Sequence, residues 1–362
     1  MTVARVHAPL PRSDEARGRR VSPVRTTALL LSAVAAMTLL SLSYGQVLIR
    51  PADFVGALVS PAVHADAARI VIDLRLPRVI AAVVAGGAMG LAGVLLQALF
   101  RNPLADAWSL GLTAGGQFGA ALVVVAGGVA FAADVVGLLR IFAGVSLVIG
   151  AAAGTLAVAL FMAAAAKRVT NATLLVMGLM LGFLSQGMMS VVLHFTNRNQ
   201  SRIFASWNDA TFSAVSWDDL PVLLTAVVAG CLIALVRMKA LSALLLGETY
   251  AASLGVDVPR LRRWVLGGAV LLVAPVTAYC GPLLFVGLLV PHFARQVLGT
   301  ARLGAVMPVA AAGGALLTIV GDFIVHLPWQ QHFLHLNAIL AVVGAPAVIT
   351  LLVRSRGAKA LT

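Results

Sequence analysis

The sequence predicts an all-α polytopic membrane protein with about ten transmembrane helices per chain. Three observations carry that expectation. Of the 362 residues, 60% are hydrophobic and 11% charged, mean hydropathy is +1.00, far above that of a soluble domain, and the apolar residues gather in uncharged runs about one bilayer long. The 22 residues from Val79 to Phe100 show the length argument. As a helix rising about 1.5 Å per residue they cover roughly 33 Å, against a hydrocarbon core of ~30 Å.

In chain order, residues 1–25 form a tail with six arginines, and the first span covers 26–46. That run ends in Ser43-Tyr44-Gly45-Gln46 rather than in a short apolar core with a small-x-small cleavage site, so it reads as a retained span and not a signal peptide. Residues 47–74 contain VLIRPADFVGALVS and AARIVIDL, which read as one or two amphipathic helices at the interface. Spans follow at 79–100, 109–131, 141–166 and 172–194. The polar stretch 195–219 carries Trp207 and Trp217 as interface anchors. Beyond the span at 220–236, residues 237–263 hold short helices broken at Gly247 and Gly255. The spans 264–281 and 282–298 are separated only by Cys280-Gly281-Pro282, and the last two lie at 305–325 and 338–353. One transmembrane domain thus occupies 26–355, followed by the tail 356–362.

An even number of spans puts both basic tails on one side. With both termini inside, the inner segments hold 19 Lys/Arg and five Asp/Glu, and the outer ones seven and eight. The positive-inside rule therefore supports cytoplasmic termini. Arg75 and Arg78 fall outside, against that bias.

The net charge of +13 does not indicate nucleic acid, because the basic residues lie between apolar runs rather than on one soluble face. No GxxxxGK[ST] motif is present, so the chain cannot hydrolyse ATP alone. Cys231 and Cys280 sit inside apolar runs without metal-ligand spacing and read as small core residues. No catalytic constellation stands out, and neither a cofactor nor a metal site is expected. Asp322, near the outer end of its span, is the nearest candidate for ion coupling, and a helix-end carboxylate at the interface explains it more simply.

The strings RLPR (75–78), GLAGVLLQALFRNPLAD (90–106), LGVDVPRLR (254–262), GPLLFVGLLVPHFARQVLG (281–299) and VVGAPAVITLLVR (342–354), in this order, resemble the FecCD-type permeases. These are membrane subunits of bacterial type II ABC importers for ferric siderophores, haem and vitamin B12. The resemblance runs from about residue 45 to the C-terminus. It implies ten helices, a homodimer with the pathway on its two-fold axis, two cytoplasmic ATP-binding subunits and a periplasmic substrate-binding protein.

By the same resemblance Arg75 and Arg78 are docking residues for carboxylates of the binding protein, with snorkelling to headgroups as the plain alternative. Asn102 and Leu104 of the Asn-Pro-Leu string match the cytoplasmic gate, although a helix stop at Pro103 explains the same residues. Thr170 and Asn171 lie where the other gate contact falls, on a poorer match. Residues 241–258 match the ATPase coupling segment, with Leu246, Leu254 and Val256 as apolar contacts and Gly247 and Gly255 at the backbone reversals. Two departures stand out. His326 replaces a usual arginine and would bring a pH-sensitive charge to the docking face. Phe333-Leu334-His335-Leu336-Asn337 replaces a usual Glu-Leu-Pro-x-Gly, leaving His326, His332 and His335 close in sequence, either as interfacial residues or in contact with haem or an iron chelate.

The expected function is the permease of an importer for an iron complex or a corrinoid, not an enzyme. The alternative is a self-sufficient channel or ion-coupled secondary carrier.

Overall fold

A computed structural model describes residues 21–45, 47, 49–130, 138–166, 168–194, 208–328 and 334–359. Twelve helices form among them: α1 (Pro23–Ser43), α2 (Pro51–Val59), α3 (Ala65–Leu99), α4 (Leu112–Ala130), α5 (Leu138–Ala165), α6 (Asn171–His194), α7 (Leu220–Leu245), α8 (Glu248–Ser253), α9 (Val258–Cys280), α10 (Val286–Leu298), α11 (Leu303–Val325) and α12 (Leu336–Lys359). Every expected span coincides with one of them, α2 and α8 being the additional short helices, and no strand occurs among the described residues. Seven helices are long and apolar enough to cross a membrane. Trp207, His332, Lys167 and most of the N-terminal tail lie outside the described residues.

Several boundaries differ from the sequence expectation; the helix of the 79–100 span begins at Ala65, so AARIVIDL continues into it rather than forming a separate interfacial helix. Helix α7 continues to Leu245 and α9 starts at Val258, because Arg237, Lys239 and Arg260 to Arg263 end an apolar run without ending a helix. The expected span 282–298 is a helix only from Val286, 13 residues long and therefore about 20 Å. Gly281 to Phe285 are non-helical, with Phe285 left-handed at φ 63°. Such backbone survives at membrane depth only where protein covers it. Here Gly281, Pro282 and Leu283 are buried, and Asn337 holds the segment by donating to the Pro282 carbonyl at 2.7 Å and accepting from the Leu284 N–H at 3.2 Å.

Helices α3 and α9 form the centre of the bundle, while α1 and α6 are largely uncovered. Without a hydrophobic drive between helices in lipid, tight packing depends on small residues. A Cβ on Gly90 would lie 2.4 Å from the Ala310 carbonyl, which fixes the crossing of α3 with α11. Gly93 sits equally close to Gly287 of α10. Pro291 lacks the N–H that would bond the Gly287 carbonyl, and buried Gln97 directs Nε2 to the carbonyls of Gly287 and Leu288 at 3.4 and 3.3 Å instead.

The connections sort into two ends. Residues 100–111, 168–170, 246–257 and 299–302 share the basic end; 49–64, 208–219, 326–328 and 334–335 share the opposite end. At the latter, Thr211 donates its N–H to the Cys280 carbonyl at 3.0 Å, Phe212 is fully buried and Asn208 bonds Gln117 of α4. Trp217 reaches the Ile72 carbonyl at 3.0 Å, within a widened turn of α3 over Arg69–Arg75.

Candidate functional site

Arg75 and Arg78 stand one turn apart at and just after the widened turn of α3, and both are buried. Arg75 donates to the Leu42 carbonyl at 2.8 Å and also to that of Val47. Leu42 belongs to the last turn of α1, where unpaired carbonyls and the helix dipole favour a cation. Arg75 therefore straps the end of α1 to α3. Arg78 Nε lies 3.1 Å from Asp322 Oδ2, and the Asp322 side chain is 2% exposed. The pair is close but off-axis: neither atom has a well-directed hydrogen bond among the described residues. His326 joins it, Nδ1 standing 3.3 Å from Asp322 Oδ1 and 2.8 Å from the Asp322 carbonyl, with Nε2 2.9 Å from the Ser213 hydroxyl. His335 Nδ1 faces Asp209 Oδ2 at 3.5 Å, both half exposed. His326 and His335 thus each meet the 208–219 segment, and no group of three metal-binding side chains occurs among the described residues.

At the basic end α3 closes with two backward bonds, Asn102 N–H to the Gln97 carbonyl at 3.1 Å and Arg101 N–H to that of Ala98 at 3.3 Å. This termination needs a left-handed residue, supplied by Arg101 at φ 48°. Asn102 is buried, and its Oδ1 accepts from the Leu104 N–H at 3.0 Å, an Asx turn around Pro103. Asp106 accepts from the Ser109 N–H at 2.7 Å. Burial pushes its carboxyl up and the Ser109 bonds pull it back. These contacts make 101–111 a built loop. It approaches α6 at Gly111, where a Cβ would lie 2.7 Å from the Gly178 carbonyl. Thr170 is exposed and caps α6 through the Thr173 N–H at 3.3 Å. Asn171 is the first residue of α6, and its side chain lies outside what the structure describes.

Residues 246–257 turn twice around α8. Gly247 has φ 126° and Gly255 φ 79°, and at both a Cβ would meet nothing within 4 Å. Backbone sign alone, not space, demands glycine there. The turn presents Leu246, 70% exposed, Leu254, 58%, and Tyr250, 49%, while Ala251 is buried and Val256 packs inward against the core. Arg262 bonds Glu248 at 2.9 Å, and Asp257 caps α9 through the Arg260 N–H at 2.9 Å. This braced turn between α7 and α9 leaves three large apolar groups uncovered in the isolated chain.

A family model described as the FecCD transport family matches residues 33–354. The chain belongs to this family. Among its relatives, the vitamin B12 import system permease protein BtuC of Vibrio parahaemolyticus is 32% identical over 300 residues, covering 80% of this chain and 85% of that protein. The hemin transport system permease protein HmuU of Yersinia pestis is 29% identical over 287 residues, covering 79% and 83%. A solved structure described as an inward-facing conformation of a metal-chelate type ABC transporter superposes with a TM-score of 0.74 at 23% identity, over 91% of this chain and 99% of that one. At that identity the likeness shows the fold.

For this FecCD chain, a multi-pass membrane protein, sequence reasoning missed the Arg78–Asp322 pair and Tyr250. The available signal for the pair was two opposite charges, Arg78 and Asp322, each bordering an apolar run at the same end of the bundle. The signal for Tyr250 was its place midway between two glycine breaks.

Proposed function

We propose that this chain is the permease subunit of a binding-protein-dependent ABC importer, carrying haem, a ferric siderophore or a corrinoid across the bacterial inner membrane as a homodimer. The observation that carries the reading is the exposed apolar turn of Leu246, Tyr250 and Leu254, held by two glycines of positive φ at the basic end. A chain without a nucleotide-binding motif that builds such a surface outside the lipid has a drive subunit to receive. The named relatives, permeases of vitamin B12 and hemin systems, support the same reading and place haem and corrinoids among the candidate substrates.

In this account closure of two ATPase subunits pushes on the turn around α8, and the push passes through Leu245 into α7 and through Asp257 into α9. The helices tilt about the two-fold axis, and the loops of Asn102, Leu104, Thr170 and Asn171 open and close the inner end. An ion-coupled carrier needs a carboxylate free to take up and release its ion. Asp322 is held between Arg78 and His326, which favours the importer. The basic end faces the cytoplasm: reporter fusions after Arg168, Lys239 and Arg354 should score cytoplasmic, those after Asp73 and Asp209 periplasmic, and a periplasmic signal at Lys239 would overturn the topology.

The binding protein docks at the opposite end, around Arg75, Arg78 and His326. Since Asp322 already holds Arg78, a docking carboxylate competes with it. The test is the double substitution Arg78→Leu with Asp322→Leu, which removes both charges together. Docking through Arg78 predicts a folded protein that binds its partner more weakly at low salt, with the deficit shrinking at high salt. Unchanged affinity at low salt would leave Arg78 with its internal role alone.

A further inference from the structure

Next to the turn of residues 246–257, the basic end contains a cleft of about 270 Å³ walled by Gln97, Arg101, Asn102, Leu245, Arg295 and Leu303. Neither guanidinium has an ion pair or a side-chain hydrogen bond among the described residues. The described carboxylates of this end are already engaged: Glu248 with Arg262, Asp257 with the Arg260 N–H and Asp106 with the Ser109 N–H. Leu303 opens α11, whose positive dipole end adds to the two arginines. Two cations and a helix N-terminus around one cleft, with no counter-charge among the described residues, call for an anion.

We infer that this cleft receives an acidic side chain of the ATPase subunit, a second contact beside the apolar turn; the inference rests on the importer reading above. Position selects this occupant over a lipid. The walls come from α3, α7, α10, α11 and the loops after α3 and before α11, and α1 and α6, the two least covered of the candidate spans, contribute none of them. Leu245 immediately precedes exposed Leu246, so a subunit resting on the turn overlies the cleft. Arg101 and Asn102 belong to the gate loop, so the ionic contact ties the drive subunit directly to the gate, independently of α8.

The test measures binding of the co-expressed ATPase subunit to the full-length chain in detergent, as a function of salt. Arg101→Asn removes the charge with a residue that tolerates positive φ, and Arg295→Gln removes the other. Each is expected to weaken the complex about tenfold at low salt and to flatten its salt dependence, at an unchanged melting midpoint of the permease alone. Arg295→Lys should retain binding, and Arg260→Gln, on the same face outside the cleft, should behave as wild type. Unchanged affinity and salt slope in both cleft variants would overturn the inference while leaving the importer reading intact. A wild-type chain that never binds the ATPase would overturn both. If phosphatidylglycerol vesicles raise the midpoint of the wild-type chain alone, and not that of the two variants, the occupant is a lipid phosphate and the carboxylate assignment is wrong.

Discussion

Replacing Asp322 by Asn is expected to cost about 3–5 kcal/mol of folded-state stability, because breaking a buried ion pair leaves its partner charged and uncompensated. Arg78 is held inside α3, after its widened turn, and has no second acid partner among the described residues, so it cannot reach water without unpacking α3 from α11 there. His326 keeps the Asp322 carbonyl and Ser213 and loses only its carboxylate neighbour. The control is the double replacement of Arg78 and Asp322 by leucine, which removes both charges and their desolvation cost and should return to within about 1–2 kcal/mol of wild type. Melting in detergent with an environment-sensitive thiol probe on Cys280, which is buried in the folded chain, reads both variants. Equal losses in single and double variants would show that shape, not charge compensation, holds this end together.

The second large effect lies at the opposite end and separates folding from transport. Leu254→Asp places a charge where the ATPase surface would have to desolvate it, at a cost of several kcal/mol unless a partner is found. Within the permease Leu254 is more than half exposed, so the substitution costs the chain little. Gly255→Val acts differently: space around the new side chain is free, but a β-branched residue at φ 79° is a steric outlier, and the turn must rearrange. Both variants should insert normally and still dock the periplasmic protein, with ATP-dependent uptake lost. Copurification of Leu254→Asp with its ATPase at wild-type yield, together with wild-type uptake, would remove the turn around α8 from the drive path.

These two sites differ in how far the sequence announces them. Gly247 and Gly255 break an apolar segment between two spans, and their positive φ follows from local backbone demand, so the turn is legible from residues alone. Spans of about 20 apolar residues are legible for the same reason: bilayer thickness imposes one length on each of them. Arg75 is legible only as an anomaly, a cation against the topological bias. Its partners, the carbonyls of Leu42 and Val47, lie 33 and 28 residues earlier and are set by how α1 ends. The Arg78–Asp322 pair joins opposite ends of the chain and exists only through the glycine-mediated packing of α3 on α11. The shortened α10 combines both cases. Gly281-Pro282 marks a break, but its extent depends on Asn337 and on Gly344, whose missing side chain leaves room for left-handed Phe285: a Cβ there would come within 2.7 Å of the Phe285 Cβ.

The most direct test of the account is uptake into proteoliposomes containing the purified chain, with and without its ATPase subunit, with binding protein and haem, ferric siderophore or cobalamin supplied outside and ATP enclosed within. The account predicts accumulation of one of these substrates only when chain, ATPase, ATP and binding protein are all present, and none when any is omitted or when the chain carries Leu254→Asp. Accumulation by the chain alone, driven by a proton or sodium gradient and indifferent to ATP, would contradict it.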